Sequence, residues 1–311
     1  MVDGFKSYIR NASEVLSNSN FQFNEKKKRQ CGIWVNTFEI AFYHTLKLEF
    51  NCYNHKLEIS GSLHKYFNSK FNIEPDNPRH KNTGYNYNDF SFDQVVIAII
   101  DLADTIGRSP EELIFSNIEF GINIRHFFNT KDILRGLLLW NDKELNKDDW
   151  YNYFKLTQYC FKIYDKGAQY GLNYPLVRLE LKYKKMEQLN KLGLFTFNDL
   201  ISNISIYESM RDKIIHEFSA KLIFFDYTID KTKLKGRDKE RNLEYRNPKF
   251  WHDLEKKERH RLKTYLNRMI ERFSQNVRKQ LCDQIQMKWN HLLFGSNLRP
   301  DSNSNCSLND P

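Results

Sequence analysis

The five cysteines, Cys31, Cys52, Cys160, Cys282 and Cys306, form no C-x-x-C pair and no other metal-ligand spacing. An odd, unpaired set excludes a disulfide framework and fits a reducing compartment. Long apolar runs are missing as well. Val95 to Ile100 is far shorter than the roughly 20 residues that cross a bilayer, and the opening Met-Val-Asp-Gly-Phe-Lys-Ser-Tyr has no apolar signal-peptide core. No internal repeat is present. These absences point to a soluble, cytoplasmic protein with no membrane partner.

What is present suffices for a large core: 311 residues, 40% hydrophobic and 15% aromatic. The net charge of +9 is unevenly spread. Lys231 to Pro300 carries 19 Lys and Arg against 8 Asp and Glu, the last eleven residues add two acids, and residues 1–230 are neutral with 29 of each sign. All the basicity therefore lies in the last quarter. Such an asymmetry suits a polyanionic partner, with nucleic acid first, through phosphate neutralisation; a solvated lysine-rich helical face is the bland alternative.

Residues 1–30 are polar, with a charged run at Glu25–Arg29, and read as solvated helix or loop. Strand patterns begin after Gly32, at Ile33 to Ile40. Leu46–Phe50 and Lys56–Ser60 flank a hairpin connection. A long Pro/Asn-rich loop follows from Asn68 to Asp89. Ser91-Phe-Asp-Gln94 has the form of a capping box and predicts a helix through Leu102 to a stop at Gly107; Ser109-Pro-Glu-Glu starts a short second helix. Asn117–Ile124 alternates strictly and predicts a strand. Thr130 caps a helix from Lys131 to Trp140, and Asn141 to Trp150 is an acidic, polar connection. Lys184 to Leu192 is helical with a stop at Gly193, and Thr196 caps a longer helix toward Phe225. Lys231 to Asn247 reads as a basic linker. Apolar residues from Phe250 to Ile285 recur at helical spacing, and Ser296 to Pro311 has the composition of a disordered tail.

The stretch Phe161 to Glu180 reads as two strands and a turn. Phe161 and Ile163 oppose Lys162, Tyr164 and Lys166; Val177, Leu179 and Leu181 oppose Arg178, Glu180 and Lys182. Each predicted strand has an aliphatic face and a face with a few polar groups, including Glu58 on one and Glu119 with Asn123 on another. One antiparallel sheet, its aliphatic face covered by helices 93–106 and 131–140, would gather three carboxylates, a tyrosine and several bases on its other face. Carboxylates suit Mg²⁺ or Mn²⁺, and an activated tyrosinate can attack a polarised phosphate. A Tyr hydroxyl of pKa about 10 needs help near neutrality, which Lys166 could supply. Taken singly, each of these residues is also explained by solvent exposure, ion pairing or packing.

The same residues resemble the gene II protein family of filamentous-phage replication initiators and the related phage and plasmid rolling-circle initiators. Tyr164-Asp-Lys166 and Val177-Arg-Leu-Glu180 stand where that family has a Tyr-x-Lys setting followed by a Val-Arg-Phe-Glu strand. Lys184 to Leu194 is similar to its Lys-rich segment, Leu57–Lys65 to its Glu-Ile-x-x-Ser-x-x-Lys segment, and Asn117-Ile-Glu119 to its Arg-Ile-Asp strand. The resemblance spans about Leu46 to Leu200 in constant order. It departs from the broader superfamily in lacking a His-hydrophobic-His pair, and Glu119 stands in place of Asp.

The resemblance implies an α+β fold, an antiparallel sheet with helices on one face and an open polar face (HUH-nuclease-like); charge and helical spacing beyond it add a basic α-helical C-terminal extension. It implies a metal-dependent nicking-joining endonuclease that starts rolling-circle replication through a 5′-phosphotyrosyl intermediate. Tyr164 would be the nucleophile and Lys166 its partner. Glu58, Glu119 and Glu180 would bind Mg²⁺ or Mn²⁺, and Lys65, Lys162, Arg178 and Lys182 would contact DNA. Partners would be single- and double-stranded origin DNA, with host helicase and polymerase. The expected division is a polar segment 1–30, a catalytic domain 31–230, a basic helical DNA-binding extension 231–295 and a disordered tail 296–311. Tyr170 and Tyr159 are competing nucleophiles, Tyr159 having the parity of the aliphatic face, and His64 is a candidate ligand. A non-catalytic origin-binding protein with the same fold, or an RNA- or host-binding protein using the basic helices, are the alternatives.

Overall fold

Ten strands hydrogen-bond into one antiparallel sheet in the computed structural model, which describes residues 1–30, 33–140, 143–147 and 151–295. In chain order these strands are β1 (Val2–Ile9), β2 (Asn24–Gln30), β3 (Ile33–Tyr43), β4 (Leu46–Asn51), β5 (Lys56–Ser62) and β6 (Ile114–Arg125), then β9 (Asn146–Lys147), β10 (Asn152–Lys155), β11 (Tyr159–Asp165) and β12 (Leu176–Tyr183). Their order across the sheet is β2-β3-β4-β5-β1-β6-β12-β11-β10-β9. A second, small sheet joins β7 (Leu137–Trp140) to β8 (Lys143–Glu144) and β13 (Leu222–Phe224). The protein is α+β, as expected.

Alternation decides the faces. Ile118, Phe120, Ile122 and Ile124 of β6 and Val177, Leu179 and Leu181 of β12 are buried together on one side. α2 (Phe92–Ile106) joins the same core, and its Ser91–Gln94 capping box forms as read: Gln94 N donates to Ser91 Oγ at 3.3 Å and Ser91 N to Gln94 Oε1 at 2.8 Å. Among the other helices, α1 (Leu63–Lys70) follows β5 directly and α3 (Thr130–Arg135) precedes β7. The helix expected over 131–140 thus stops at Arg135, and the bulky run Leu137–Trp140 pairs with β13 instead. A short α4 (Lys166–Tyr170) fills the turn between β11 and β12; α5 (Glu187–Asn190), α6 (Phe197–Ser202) and α7 (Ile204–His216) follow. The single helix expected toward Phe225 is broken at Asn203, whose side chain caps α7, and ends in a π-helical turn at Glu217–Lys221.

Two expected boundaries are corrected. Residues 1–30 are not a separate polar segment, because β1 pairs with both β5 and β6 in the interior of the sheet. Nor is 231–295 one extension. The expected linker contains α8 (Arg237–Glu244), and Leu234 and Tyr245 on either side of it join α9 (Pro248–His252) and α10 (Lys256–Phe273) around a second core that includes Leu139, Ile223, Trp251 and Leu266. The last helix, α11 (Val277–Phe294), returns to the main core with Leu281, Ile285 and Trp289. Apolar burial, not charge, sets this division. Half of the connection 141–150 and the tail 296–311 lie outside the described residues. No helix among the described residues is long and apolar enough to cross a membrane.

Candidate active site

Register brings the polar groups together. Across β11 and β12, Tyr164 faces Arg178 and Lys162 faces Glu180; across β12 and β6, Arg178 faces Asn123, Glu180 faces Gly121 and Lys182 faces Glu119. All lie on the face opposite Phe161, Ile163 and Leu179. Three strands therefore supply Tyr164, Lys162, Arg178, Glu180, Lys182 and Glu119 to one surface, as strand parity predicts.

Arg178 is the hub. Its Nε donates to Glu180 Oε1 at 2.5 Å, Nη1 to Asn123 Oδ1 at 2.9 Å and Nη2 to Asp3 Oδ2 at 3.0 Å, and its side chain is buried. Asp3 also accepts from Ser62 Oγ and, at 2.5 Å, from Asn86 Nδ2. Burial alone would raise the Asp3 pKa, but Arg178 and then Lys166 hold its carboxyl well below the usual carboxylate range. Glu180 is likewise lowered, because Arg178 and Lys162 outweigh its burial. Closeness is possible because position 121 is glycine: a Cβ there would lie 2.6 Å from Glu180 Cγ and 2.9 Å from Arg178 Nη2.

Glu119 is bound by Lys182 at 2.5 Å and Lys162 at 3.3 Å, and Lys162 also reaches Glu180 at 3.5 Å. The two carboxylates keep Lys162 charged, raising its pKa against the effect of burial. Lys162 further lies 5.3 Å from the centre of the Tyr151 ring.

Tyr164 is only 6% exposed, and burial, then Glu180, push its phenol well above the ordinary value. Its hydroxyl lies 3.4 Å from Nζ of Lys166, the first residue of α4. Lys166 is 2% exposed, and burial with the nearby Arg178 lowers its pKa to about 7. In its ammonium form it donates to the Tyr164 hydroxyl; deprotonated, the same nitrogen can accept the phenol proton. Lys65, in the first turn of α1, is near enough to contribute to lowering Lys166.

The polar face is roofed over Arg178 by the loop before α2. Asn123 Nδ2 donates to the carbonyls of Asn86, Tyr87 and Asn88 at 3.1, 3.0 and 3.3 Å, and Tyr170 Oη donates to Asn86 Oδ1 at 2.8 Å. Tyr170 is thereby a roof residue, with Lys166 Nζ 4.9 Å from its ring centre. Tyr159 lies on the aliphatic side, as its parity predicts, donating to Glu217 at 2.8 Å. His64 is buried and stacks on Phe90 at 4.6 Å, which gives it a packing role.

Glu58 is corrected. It shares the sheet face but sits opposite Tyr8 and Glu49, and is paired to Lys6 at 2.6 Å. Four residues separate it from Ser62, the β5 residue that holds Asp3, roughly 13 Å along the strand. Asp3 takes the place expected of Glu58.

The carboxylates therefore form an ion-pair network and do not fit a divalent cation as arranged. Asp3, Glu119 and Glu180 already meet Arg178, Lys162 and Lys182, and no group of three or more His, Cys, Asp or Glu among the described residues is disposed to hold a metal.

Strand parity could not have found Asp3. By alternation it should point with Phe5 and Ile9 into the core, but the register against β6 shifts between Val2 and Phe5, and this irregularity allows the carboxylate to reach Arg178. Asn86 lies in a loop without periodicity and left no signal.

No family model matches the chain, and no curated protein matches it. A solved structure similar to it is a rolling circle replication initiator protein from Geobacillus stearothermophilus, at 10% sequence identity and a TM-score of 0.39, covering 78% of this chain and 90% of that one. Side-chain geometry, and not this likeness, carries the functional reading.

Proposed function

We propose that the protein starts rolling-circle DNA replication by nicking and rejoining one strand at an origin, with Tyr164 as nucleophile. The observation that carries this reading is the pairing of the Tyr164 hydroxyl with Lys166 at 3.4 Å, because Lys166, with a pKa lowered to about 7, is present in substantial part as a free amine near neutrality. A buried phenol whose own pKa is raised needs such a base. The phenol proton passes to Lys166 as the phenolic oxygen bonds to phosphorus. The P–O3′ bond breaks with its electron pair on the 3′ oxygen, which takes a proton to become the 3′-OH that a polymerase extends. The 5′ end remains as a phosphotyrosyl ester, and attack by a returning 3′-OH reverses the step and restores Tyr164.

Lys65, and Lys166 once it has taken the phenol proton, supply positive charge beside the phosphate. Arg178 is fully engaged by Asp3, Glu180 and Asn123, so its part is to hold β12 and the site in position.

The burial of Tyr164, together with the neutralised carboxylates, favours one second reading, a protein that binds origin DNA without cutting it. The two part on one assay. Supercoiled DNA of the replicon that encodes the chain is incubated with protein in Mg²⁺ or Mn²⁺ buffer, and nicked circles are probed for attached protein. An adduct lost in Tyr164→Phe supports nicking; binding with no adduct supports the second reading.

A further inference from the structure

A groove of about 440 Å³ between α8 and α10 is lined by Arg237, Arg241, His260, Arg261, Tyr265 and Arg268, with one leucine and one threonine and no carboxylate. Sequence spacing explains how the arginines converge. Arg237 and Arg241 are one turn apart on α8, and Arg261, Tyr265 and Arg268 recur at three- and four-residue steps on α10, so each helix turns one basic row to the other.

Fold stability does not account for this row. Arg237 opens α8, where the positive end of the helix dipole disfavours a cation, and no side chain caps that end. Arg237 and Arg268 are exposed and have no ion pair among the described residues. Two nearby acids are engaged: Asp238 accepts from the Tyr265 hydroxyl, and Glu258 pairs with Arg261 at 3.1 Å. Arg241 is pre-positioned, its guanidinium 4.7 Å from the Tyr265 ring centre and donating to Tyr245 Oη at 2.5 Å. Arg237, Arg241 and Arg268, with no ion pair among the described residues, form with Arg261 a site for several negative charges in a row.

We infer that this groove binds successive phosphodiesters of a DNA backbone, apart from the chemistry at Tyr164. The one-turn step of roughly 6 Å between Arg237 and Arg241 suits successive phosphates of a strand better than a single anion. The inference deepens the proposed function, since the DNA held is the one that Tyr164 would cut.

The test is fluorescence anisotropy of the full-length Tyr164→Phe chain with a labelled 20-nucleotide single strand and a 20-base-pair duplex, from 50 to 300 mM NaCl. Arg237→Ala with Arg268→Ala should weaken binding of at least one probe by about ten- to thirtyfold at 150 mM and lower its salt slope by about 1.4 to 1.8, two phosphate contacts' worth. The probe that shows this loss identifies the DNA form held. Lysine at both positions should retain most of the slope. Alanine at exposed Lys131 and Lys191, which removes the same charge elsewhere, should leave the slope unchanged. Equal losses from both alanine pairs, or no loss from the arginine pair, would overturn the groove. So would displacement of DNA by phosphatidylserine vesicles that depends on Arg237 and Arg268, which would give the groove to a membrane surface. Arginine variants that bind DNA normally, beside a wild type that forms the adduct, would remove this inference alone. Weakened binding beside a wild type that forms none would remove nicking alone.

Discussion

Asp3 and Arg178 stand 175 residues apart in sequence, yet Arg178 Nη2 lies 3.0 Å from Asp3 Oδ2 inside the sheet. The first strand of the chain is thereby tied to the strand that faces Tyr164, and the tie is buried on both sides. Arg178→Ala leaves buried Asp3 without its ion-pair partner and Glu180 with Lys162 at 3.5 Å, and should cost about 3–5 kcal/mol, read as a lower urea midpoint. Asp3→Asn should cost less and should change the acid limb. Because the folded pKa of Asp3 is depressed, its contribution is full above the unfolded value of about 3.9 and is lost as pH falls below it. The stability difference between wild type and Asp3→Asn should therefore shrink as pH is lowered from 5 toward 2.

Lys166 predicts the opposite limb. Its folded pKa, about 7, lies below the unfolded value of about 10.4, so between these limits the unfolded chain holds a proton that the folded one does not. Wild-type stability should rise relative to Lys166→Met from pH 7 to 9, by up to about 1.4 kcal/mol per pH unit. Nicking should rise through pH 7 and level off if the free amine is the base, and Lys166→Arg should abolish that rise. A nicking profile that is the same in Lys166→Arg would remove Lys166 from the proton path.

Gly121→Ala places a methyl 2.6 Å from Glu180 Cγ on a face that has no slack. Overpacking of this kind costs about 1–3 kcal/mol, and here the displaced groups are Glu180 and Arg178. Urea titration should show the loss, and nicking should fall with it. A fully stable and active Gly121→Ala would mean that β6 and β12 are not as close as described.

Glu58 supplies the contrast. Its pair with Lys6 is partly exposed, at 28% and 45% of the side chains, and such pairs contribute about 0–1 kcal/mol. Glu58→Gln should leave both urea midpoint and adduct yield near wild type, whereas Glu180→Gln should lower both. Equal effects would restore Glu58 to the site.

The faces of the sheet were legible because period-two alternation in Asn117–Ile124, Phe161–Asp165 and Val177–Lys182 is local and uninterrupted. Tyr164, Arg178, Glu180 and Glu119 share a surface for that reason alone. Alternation fixes a face but not a position along it, so Glu58 was on the right side and too far away. It fails at an irregular register, which hid Asp3, and it is silent in loops, which hid Asn86. The break at Asn203 and the turn of Leu137–Trp140 into strand depend on partners in β13 and the core that no local window contains.

The central claim is tested most directly by trapping the covalent product. Replicon DNA is incubated with wild-type protein, digested with nuclease and protease, and the nucleotide-bearing peptide is sequenced by mass spectrometry. The account predicts a 5′-phosphotyrosyl adduct on Tyr164, absent from Tyr164→Phe. An adduct on Tyr170 or another tyrosine, or an undiminished yield from Tyr164→Phe, would contradict it.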